Sequence, residues 1–288
     1  MKKTAIIVDS STGLTKQQAS AFGWYFLPLK VELDGVNYQD GVDLTQDDLF
    51  KLFSLKTKSY KTACTPIGYA EKLVEELSSQ YDEIIIFPIS KHLSSQYANL
   101  KPLEASYPKL KVFESEYIAV LLTVKVSKFQ KLIESGIETD QALQQIATWP
   151  ENLKVSLFPK YNDYLVKGGR LSPAAATLAK LFRIVPIIRF YKGVLEKEGK
   201  GRVFVKTIQN NIVEKLADLK SNKLLILNND CSDYPTILNF IKTNYPQLEV
   251  YKYTLPNAIS IHTGPEALVV ISIPEDWSDQ ELSILEKC

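Results

Sequence analysis

The sequence is poor in the residues that most often carry metal-binding chemistry. It has two His, three Cys and one Met among 288 residues. Cys64, Cys231 and Cys288 stand far apart with no CxxC spacing, which favours reduced thiols and a cytoplasmic location over a disulfide framework. With so few scattered His and Cys, a metal site has little support. We therefore expect no metal and no cofactor.

The chain also lacks a long apolar run and an excess of one charge. No stretch approaches the roughly 18 apolar residues that a membrane helix needs. The apolar run at residues 5–8 is too short for the core of a signal peptide. The formal net charge is +1, so the basic excess typical of nucleic-acid-binding proteins is missing. These absences predict a globular protein that binds no nucleic acid and does not insert stably into a membrane.

Arginine is scarce, and its placement is uneven. Only four of the 34 basic residues are Arg, and they are Arg170, Arg183, Arg189 and Arg202. The guanidinium group offers a planar fork of donors that suits a carboxylate or a phosphate. The clustering therefore predicts an anion-related role for this segment, although four incidental Arg in a lysine-rich chain are the other interpretation. Arg183 and Arg189, set among predicted strand and helix residues, are interpreted as structural.

The common catalytic and nucleotide-binding signatures are missing as well. The sequence contains no G-x-S-x-G, H-E-x-x-H or G-x-G-x-x-G pattern. The residues that remain as candidates for catalysis or ligand binding are a set of hydroxyl residues, two His and the clustered Arg. A Ser and a His can form a nucleophile and its base, so a hydrolase or acyltransferase using Ser94 and His262 is one alternative. A hydrogen-bonded, structural His262 is another.

Buried strand patterns alternate with helical patterns through the first half of the chain. Residues 5–8 and 84–87 are continuous apolar runs, and each leads through polar residues into a helical pattern. This alternation predicts a Rossmann-like, mostly parallel α/β/α domain over residues 1–152. In the second half several strand patterns follow one another, including residues 202–206. They predict a second α/β domain with a mixed or antiparallel sheet over residues 153–288.

Two hydroxyl residues of the first half stand where polar segments lead into helical patterns. Thr62 precedes a helical pattern that reaches Leu77, and Ser94 follows the apolar run at residues 84–87. A hydroxyl at such a position caps a helix, or it helps to hold an anion at the positive end of the helix. The local sequence leaves both interpretations open.

Several motifs, in order along nearly the whole chain, resemble the DegV family of bacterial lipid-binding proteins. The residues that carry the resemblance are Val8-Asp9-Ser10-Ser11, Lys61-Thr62, Ile89-Ser90, Leu93-Ser94, Tyr97, Tyr164-Leu165, Lys167-Gly168-Gly169-Arg170-Leu171-Ser172, Lys200-Gly201-Arg202 and His262-Thr263-Gly264-Pro265. The Gly-Gly-Arg stretch and the His-Thr-Gly-Pro stretch are the more specific motifs, and the set as a whole is stronger than any one of them.

The resemblance implies two α/β domains with a long-chain fatty acid, such as palmitate, in an apolar tunnel between them. In such proteins a Thr and a Ser, which match Thr62 and Ser94, hold the carboxylate. A His that matches His262 belongs to the same polar network. The protein would then be a lipid-binding protein rather than an enzyme, acting in lipid transport or fatty acid metabolism. Some members present the fatty acid to a partner fatty acid kinase, and Arg170 and Arg202 would then support the acyl phosphate or dock that kinase.

The chain departs from the family's usual residues at four places. Ala63-Cys64 stand where Ser-Gln is common, Ser95-Gln96 replace a usual Gly-Thr, Glu266 replaces a Gly, and Asn228-Asn229-Asp230 fall where a motif with His is often seen. None of these changes removes Thr62, Ser94 or His262. The changes beside Ser94 and at Glu266 bear on the expected head-group geometry and on the docking surface.

Overall fold

A computed structural model describes residues 2–179, 184–217 and 219–288, which contain both strands and helices. The strands are β1 (Thr4–Asp9), β2 (Tyr25–Leu27), β3 (Lys30–Leu33), β4 (Val36–Gln39), β5 (Tyr60–Ala63), β6 (Glu83–Phe87), β7 (Leu110–Val112), β8 (Lys154–Phe158), β9 (Val185–Tyr191), β10 (Val194–Gly201), β11 (Lys223–Asn228), β12 (Glu249–Thr254), β13 (Leu268–Ser272) and β14 (Glu286–Lys287). The helices are α1 (Lys16–Ala21), α2 (Gln46–Leu52), α3 (Ile67–Ser78), α4 (Gln96–Leu100), α5 (Ala119–Glu134), α6 (Thr139–Ala147), α7 (Asn162–Gly168), α8 (Pro173–Ala179), α9 (Phe204–Ala217), α10 (Tyr234–Asn244), α11 (Asn257–Thr263) and α12 (Asp279–Leu282).

These elements group into two units. The first comprises Met1–Thr148 and Pro256–Ile259, and the second comprises Trp149–Leu255 and Ser260–Cys288. The domain limits expected from the sequence, 1–152 and 153–288, stay a prediction.

The core of the first unit is a four-stranded, wholly parallel sheet in the order β2-β1-β6-β7. The two central strands are β1 and β6, in which Ile7 and Ile86 are register partners and fully buried. Helix α3 contributes Val74 and Leu77 to the same core. Because a parallel sheet is covered on both faces, its central strands are continuous apolar runs. The predicted Rossmann-like, mostly parallel architecture is confirmed.

A three-stranded antiparallel sheet, in the order β4-β3-β5, is the other sheet of the first unit. A two-residue loop joins β3 to β4, and both of its residues, Asp34 and Gly35, have a positive φ (47° and 86°). That combination is typical of a tight hairpin turn. Strand β5 pairs with β3 and places Thr62 opposite Val31, so Thr62 lies on an edge strand.

Helix α5 has no counterpart among the elements that the sequence predicts. It is buried over most of its first three turns, and Phe129 packs against Phe87 of β6 with ring centroids 5.0 Å apart. Its first residue, Ala119, has a φ of +52°, a conformation that few residues other than glycine adopt. The helix therefore covers one face of the parallel sheet after a strained entry.

The second unit is built on a seven-stranded mixed sheet in the order β10-β9-β8-β13-β11-β12-β14. Strands β11 and β12 pair in parallel, and the other neighbours pair antiparallel. Helices α9 and α10 pack Ile208, Ile212, Ile237 and Ile241 into its core, and all four are fully buried. This confirms the expected mixed or antiparallel sheet.

The strand predicted at residues 202–206 is wrong. Strand β10 ends at Gly201, and helix α9 begins at Phe204. A Cβ on Gly201 would lie 1.8 Å from Thr207 Oγ1, so the first turn of α9 approaches the strand end too closely for any other residue. Arg202 consequently stands in an exposed turn and not on the sheet.

Of the two Arg interpreted as structural, Arg189 lies on β9 and donates to Glu196 on β10 at 2.6 Å. The two residues are register partners, which makes this a cross-strand ion pair. Arg183 lies outside the described residues.

Asp9 is a fully buried carboxyl group at the carboxyl end of β1. Its Oδ1 accepts hydrogen bonds from the N–H and the hydroxyl of Ser11, at 3.0 and 2.5 Å. Its Oδ2 accepts from the N–H of Ile89 at 2.7 Å. Burial raises the pKa of Asp9 to about 6 although these bonds oppose the rise. The side chain thus ties the segment after β1 to the segment after β6.

Asp40 is the second buried carboxyl group of this unit. It accepts hydrogen bonds from Ser10 Oγ at 2.8 Å and from Asn257 Nδ2 at 3.0 Å. Burial raises its pKa to about 7, and the nearby Asp9 adds to the rise. Because a raised carboxyl pKa means that folding disfavours the charged form, both groups lower stability once they ionise.

The Asp40→Asn substitution tests this consequence. The free energy of unfolding should fall as the pH rises from about the ordinary carboxyl pKa of 3.8 and level off above the folded value of about 7. Between pH 5 and pH 8 one such group costs about 2 to 3 kcal/mol. The asparagine side chain does not ionise, and its single oxygen can keep one of the two hydrogen bonds, so the variant should lose that part of the pH dependence in urea unfolding. Asp47→Asn, at an exposed position, is the control, and equal pH dependence in wild type and Asp40→Asn would contradict the account.

Candidate functional site

Ser94 lies in the loop between β6 and α4 with its side chain partly exposed. Its N–H donates to the carbonyl of the buried Ser90 at 3.2 Å, and its Oγ accepts from the N–H of Gln96 at 3.2 Å. The bond from Ile89 to Asp9 fixes the start of the same loop. The Ser94 hydroxyl is therefore held by the bond that it accepts, and its proton can be directed at an acceptor.

Thr62 is not at the start of a helix, which corrects one interpretation of this residue. It lies on β5, and α3 begins only at Ile67, after Pro66, with no side-chain cap. The residue before a proline is disfavoured in the helical conformation, so α3 does not begin before Pro66. Thr62 is partly buried, and any hydrogen bond that it gives to a ligand comes from a strand.

The segment after β5 and the Ser94 loop are joined at two adjacent positions. Cys64 Sγ lies 3.9 Å from Ser94 Oγ. The N–H of Thr65 donates to Gln96 Oε1 at 3.0 Å, and Gln96 Nε2 donates to Thr65 Oγ1 at 2.9 Å. Gln96 is fully buried. The structure therefore makes neighbours of the segment that carries Thr62 and the loop that carries Ser94.

Sequence reasoning did not identify Thr65, Gln96 or Asp40 as parts of this region. Gln96 gave one signal, because it departs from the resembled family two residues after Ser94. Asp40 gave none, because its hydrogen-bond partner Asn257 lies 217 residues later in the chain. Contacts of this kind leave no local pattern in a sequence.

In the second unit His262, Arg170 and Gly168 lie together. A Cβ on Gly168 would be 3.0 Å from His262 Nδ1, an atom that is itself buried. Arg170 Nη1 donates to the carbonyl of Gly168 at 2.5 Å. Burial, with a smaller contribution from the Arg170 charge, lowers the pKa of His262 to about 4. The imidazole is therefore neutral at pH 7, with one nitrogen able to donate and the other able to accept.

The predicted site residues are divided between the two units. Thr62 and Ser94 belong to the first, and His262, Arg170 and Arg202 belong to the second. Within the second unit Arg170 lies beside His262, whereas Arg202 stands in the exposed turn before α9. Arg170 and Arg202 thus differ in setting although both come from the arginine cluster.

The described residues show no assembled metal site. Within residues 2–179, 184–217 and 219–288, no three His, Cys, Asp or Glu side chains are grouped so that they could hold a metal ion. The three Cys are free thiols. Among the helices of this part of the chain, none has both the length and the apolar character required to cross a bilayer.

The close packing after His262 can be tested with two glycine substitutions. Gly264 has a φ of +79°, and a Cβ there would lie 2.6 Å from Tyr164 Cδ2. Gly264→Ala therefore combines a clash with backbone strain and should lower the free energy of unfolding by about 3 kcal/mol. Gly169→Ala, at φ +68° with nothing within 4 Å, is the matched control and should cost only the strain, about 1 to 2 kcal/mol. Equal losses in urea unfolding would contradict the packing.

Comparison with known proteins gives a match along nearly the whole chain. A family model described as an uncharacterised protein of the DegV family matches residues 3–275. A DegV domain-containing protein from Mycoplasmopsis pulmonis is 39% identical over 291 residues, which cover 96% of this chain and 98% of that protein.

Solved structures share the fold. A fatty acid-binding DegV family protein from Streptococcus agalactiae aligns with a TM-score of 0.80 at 21% identity, over 95% of this chain and all of that one. DegV, a fatty acid-binding protein from Bacillus subtilis, aligns with a TM-score of 0.78 at 22% identity, over 94% of this chain and 99% of that one. The family match, together with the relative from Mycoplasmopsis pulmonis, establishes that this chain belongs to the DegV family.

Proposed function

We propose that the protein binds a long-chain fatty acid, such as palmitate, with the acyl chain in an apolar tunnel and the carboxylate held by Thr62 and Ser94. The observation that carries the proposal is the agreement of its fold with two fatty acid-binding DegV proteins, at TM-scores of 0.78 and 0.80. The motif set described above supports the same assignment. On this proposal the protein holds a ligand and catalyses no reaction of its own.

The surroundings of Ser94 suit a carboxylate. A carboxylate only accepts hydrogen bonds, so a site for it must supply donors. The Ser94 hydroxyl accepts from the N–H of Gln96, which leaves its proton available, and the Cys64 thiol at 3.9 Å is a weak partner. Thr62 on the adjoining strand is the second proposed donor. Neutral donors of this kind orient the head group without a full positive charge.

The acyl chain would provide most of the affinity. Each buried methylene contributes about 0.8 kcal/mol, so burial of an acyl chain of palmitate length in a dry tunnel is enough to keep the ligand bound. The polar end then sets the direction in which the ligand lies, as in most small-molecule sites. This division of roles explains how a protein without a catalytic signature has a defined ligand.

His262 is proposed as a further member of the polar network, and Arg170 and Arg202 as residues that support an acyl phosphate or dock a partner kinase. Because burial lowers the pKa of His262 to about 4, the imidazole would contribute a hydrogen bond and not an ionic attraction. The exposed guanidinium groups of Arg170 and Arg202 supply the charge that a phosphate needs. A cytoplasmic protein of fatty acid metabolism or lipid transport, free of cofactors, fits this arrangement.

Extraction of the purified protein with organic solvent, followed by mass spectrometry, tests the proposal. A near-stoichiometric fatty acid is expected. Protein that is consistently free of lipid and takes up neither added palmitate nor added oleate would contradict the proposal. A fluorophosphonate probe distinguishes fatty acid binding from the hydrolase alternative, because labelling of Ser94 together with ester turnover would favour an enzyme.

Ser94→Ala and Thr62→Val should each weaken fatty acid binding. A lost hydrogen bond to a charged group costs about 1.5 to 3 kcal/mol, which corresponds to roughly a tenfold to 150-fold rise in Kd. Ser106→Ala, at an exposed position of the same unit, is the control. Isothermal titration with palmitate measures the difference, and unchanged affinity in the double variant would place the carboxylate elsewhere.

Arg202→Ala should abolish formation of acyl phosphate by a cognate fatty acid kinase while the lipid stays bound. Arg189→Ala removes another exposed guanidinium from the same unit and should leave turnover unchanged. Turnover by Arg202→Ala at the wild-type rate would refute a role of Arg202 in docking or phosphate support.

A further inference from the structure

Helix α7 runs along a segment that starts at His262, in the last turn of α11, and continues to Glu266, and we call this segment the His262 loop. At the end of the helix Gly168 faces His262, since a Cβ on that glycine would lie 3.0 Å from Nδ1. One turn earlier the ring of Tyr164 lies against Gly264, since a Cβ there would be 2.6 Å from Cδ2. At both points a glycine permits the contact, so the helix and the loop lie closer than larger residues would allow.

Glu266 makes the third contact between the helix and the loop. Its Oε1 accepts a hydrogen bond at 3.0 Å from the hydroxyl of Tyr161, the residue just before α7. Its Oε2 accepts from the N–H and the hydroxyl of Ser232, at 3.3 and 2.6 Å. Positions 161, 164 and 168 are spaced as one face of a helix. The contacts therefore follow in reverse order along the loop, with Glu266 at one end and His262 at the other.

Glu266 makes these bonds from a backbone conformation that favours glycine. Its φ is +58°, where the Cβ of any other residue is crowded. Its N–H donates to the carbonyl of Asn229 at 2.9 Å, and Asn229 Nδ2 donates to the carbonyl of Gly264 at 2.7 Å. A residue kept in a strained conformation by so many partners suggests a role beyond stability of the fold.

The carboxylate of Glu266 is a charged anchor. Partial burial opposes its ionisation, but the hydrogen bonds from Ser232 and Tyr161 outweigh that effect, and Lys160 lies 3.8 Å away. The pKa of Glu266 consequently lies below its usual range. Hydrogen bonds to an ionised acceptor are stronger than neutral ones, so the Tyr161 bond holds the loop firmly to the start of α7.

We propose that Glu266 and Tyr161 are positioning residues for His262. They fix the far end of the His262 loop to the start of α7, and the helix then sets how the imidazole lies against Gly168. Loss of either anchor should loosen the loop, admit water to the imidazole and weaken its contact with the head group. The inference rests on the proposed role of His262 in fatty acid binding.

Two substitutions and one matched control test this inference. Tyr161→Phe removes a single hydroxyl, and Glu266→Gly removes the anchor while relieving the positive φ, so neither should prevent folding. Tyr251→Phe is the control, because Tyr251 also donates to a glutamate, Glu249 Oε2, at 2.9 Å in the same unit. The titration of His262 is followed by NMR in lipid-free protein, and palmitate affinity is measured separately. The exposed His92, the other histidine of the chain, provides an internal reference signal.

The pKa of His262, about 4 in the wild type because of burial, should rise by about half a unit in Tyr161→Phe and by about one unit in Glu266→Gly as water reaches the ring. Palmitate affinity should fall roughly threefold to tenfold in both variants, with neither change in Tyr251→Phe. An unchanged His262 titration in both variants would overturn the inference. A raised pKa with unchanged palmitate affinity would support the positioning role and contradict the proposed part of His262 in binding.

Discussion

The burial of the Asp9 carboxylate is the constraint on which the candidate site of the first unit depends. A buried carboxyl group has to find donors, and Asp9 finds them in Ser11 and in the N–H of Ile89. Because β1 and β6 are adjacent and parallel, their carboxyl ends meet at one edge of the sheet, where ligands of α/β proteins commonly bind. The bond to Ile89 then fixes the loop that leads to Ser94.

In the second unit a set of close contacts surrounds His262. Two motifs that lie far apart in the sequence pack against each other there, because α7 lies along the His262 loop. Arg170 is the residue of the Gly-Gly-Arg motif that the sequence singles out. In the structure, however, Gly168 lies against the imidazole, and Tyr164 lies against Gly264. The structure thus gives one glycine of each motif, Gly168 and Gly264, a reason, namely the close approach of a helix to a loop.

The elements that could be predicted from the sequence are those with a local cause. Strands β1 and β6 are continuous apolar runs because both sheet faces are covered, and the Asp34-Gly35 turn is defined by the residues that tolerate positive φ. Helix α5 was not predicted because its first half is buried on all sides and mostly apolar, so it lacks the amphipathic period of a surface helix. The interpretation of Thr62 as a helix cap was wrong because α3 begins only after Pro66. The pairing of Asp40 with Asn257 depends on the tertiary fold alone.

The central claim is that this chain holds a fatty acid by its carboxylate. Calorimetric titration of delipidated protein with palmitate and with methyl palmitate tests it most directly, since the two ligands share the acyl chain and differ in the charged head group. The account predicts saturable binding of palmitate at one equivalent and binding of the ester weaker by at least about tenfold, as expected when hydrogen bonds to a charged group are lost. Equal affinity for the two ligands, or no saturable binding of palmitate, would contradict it.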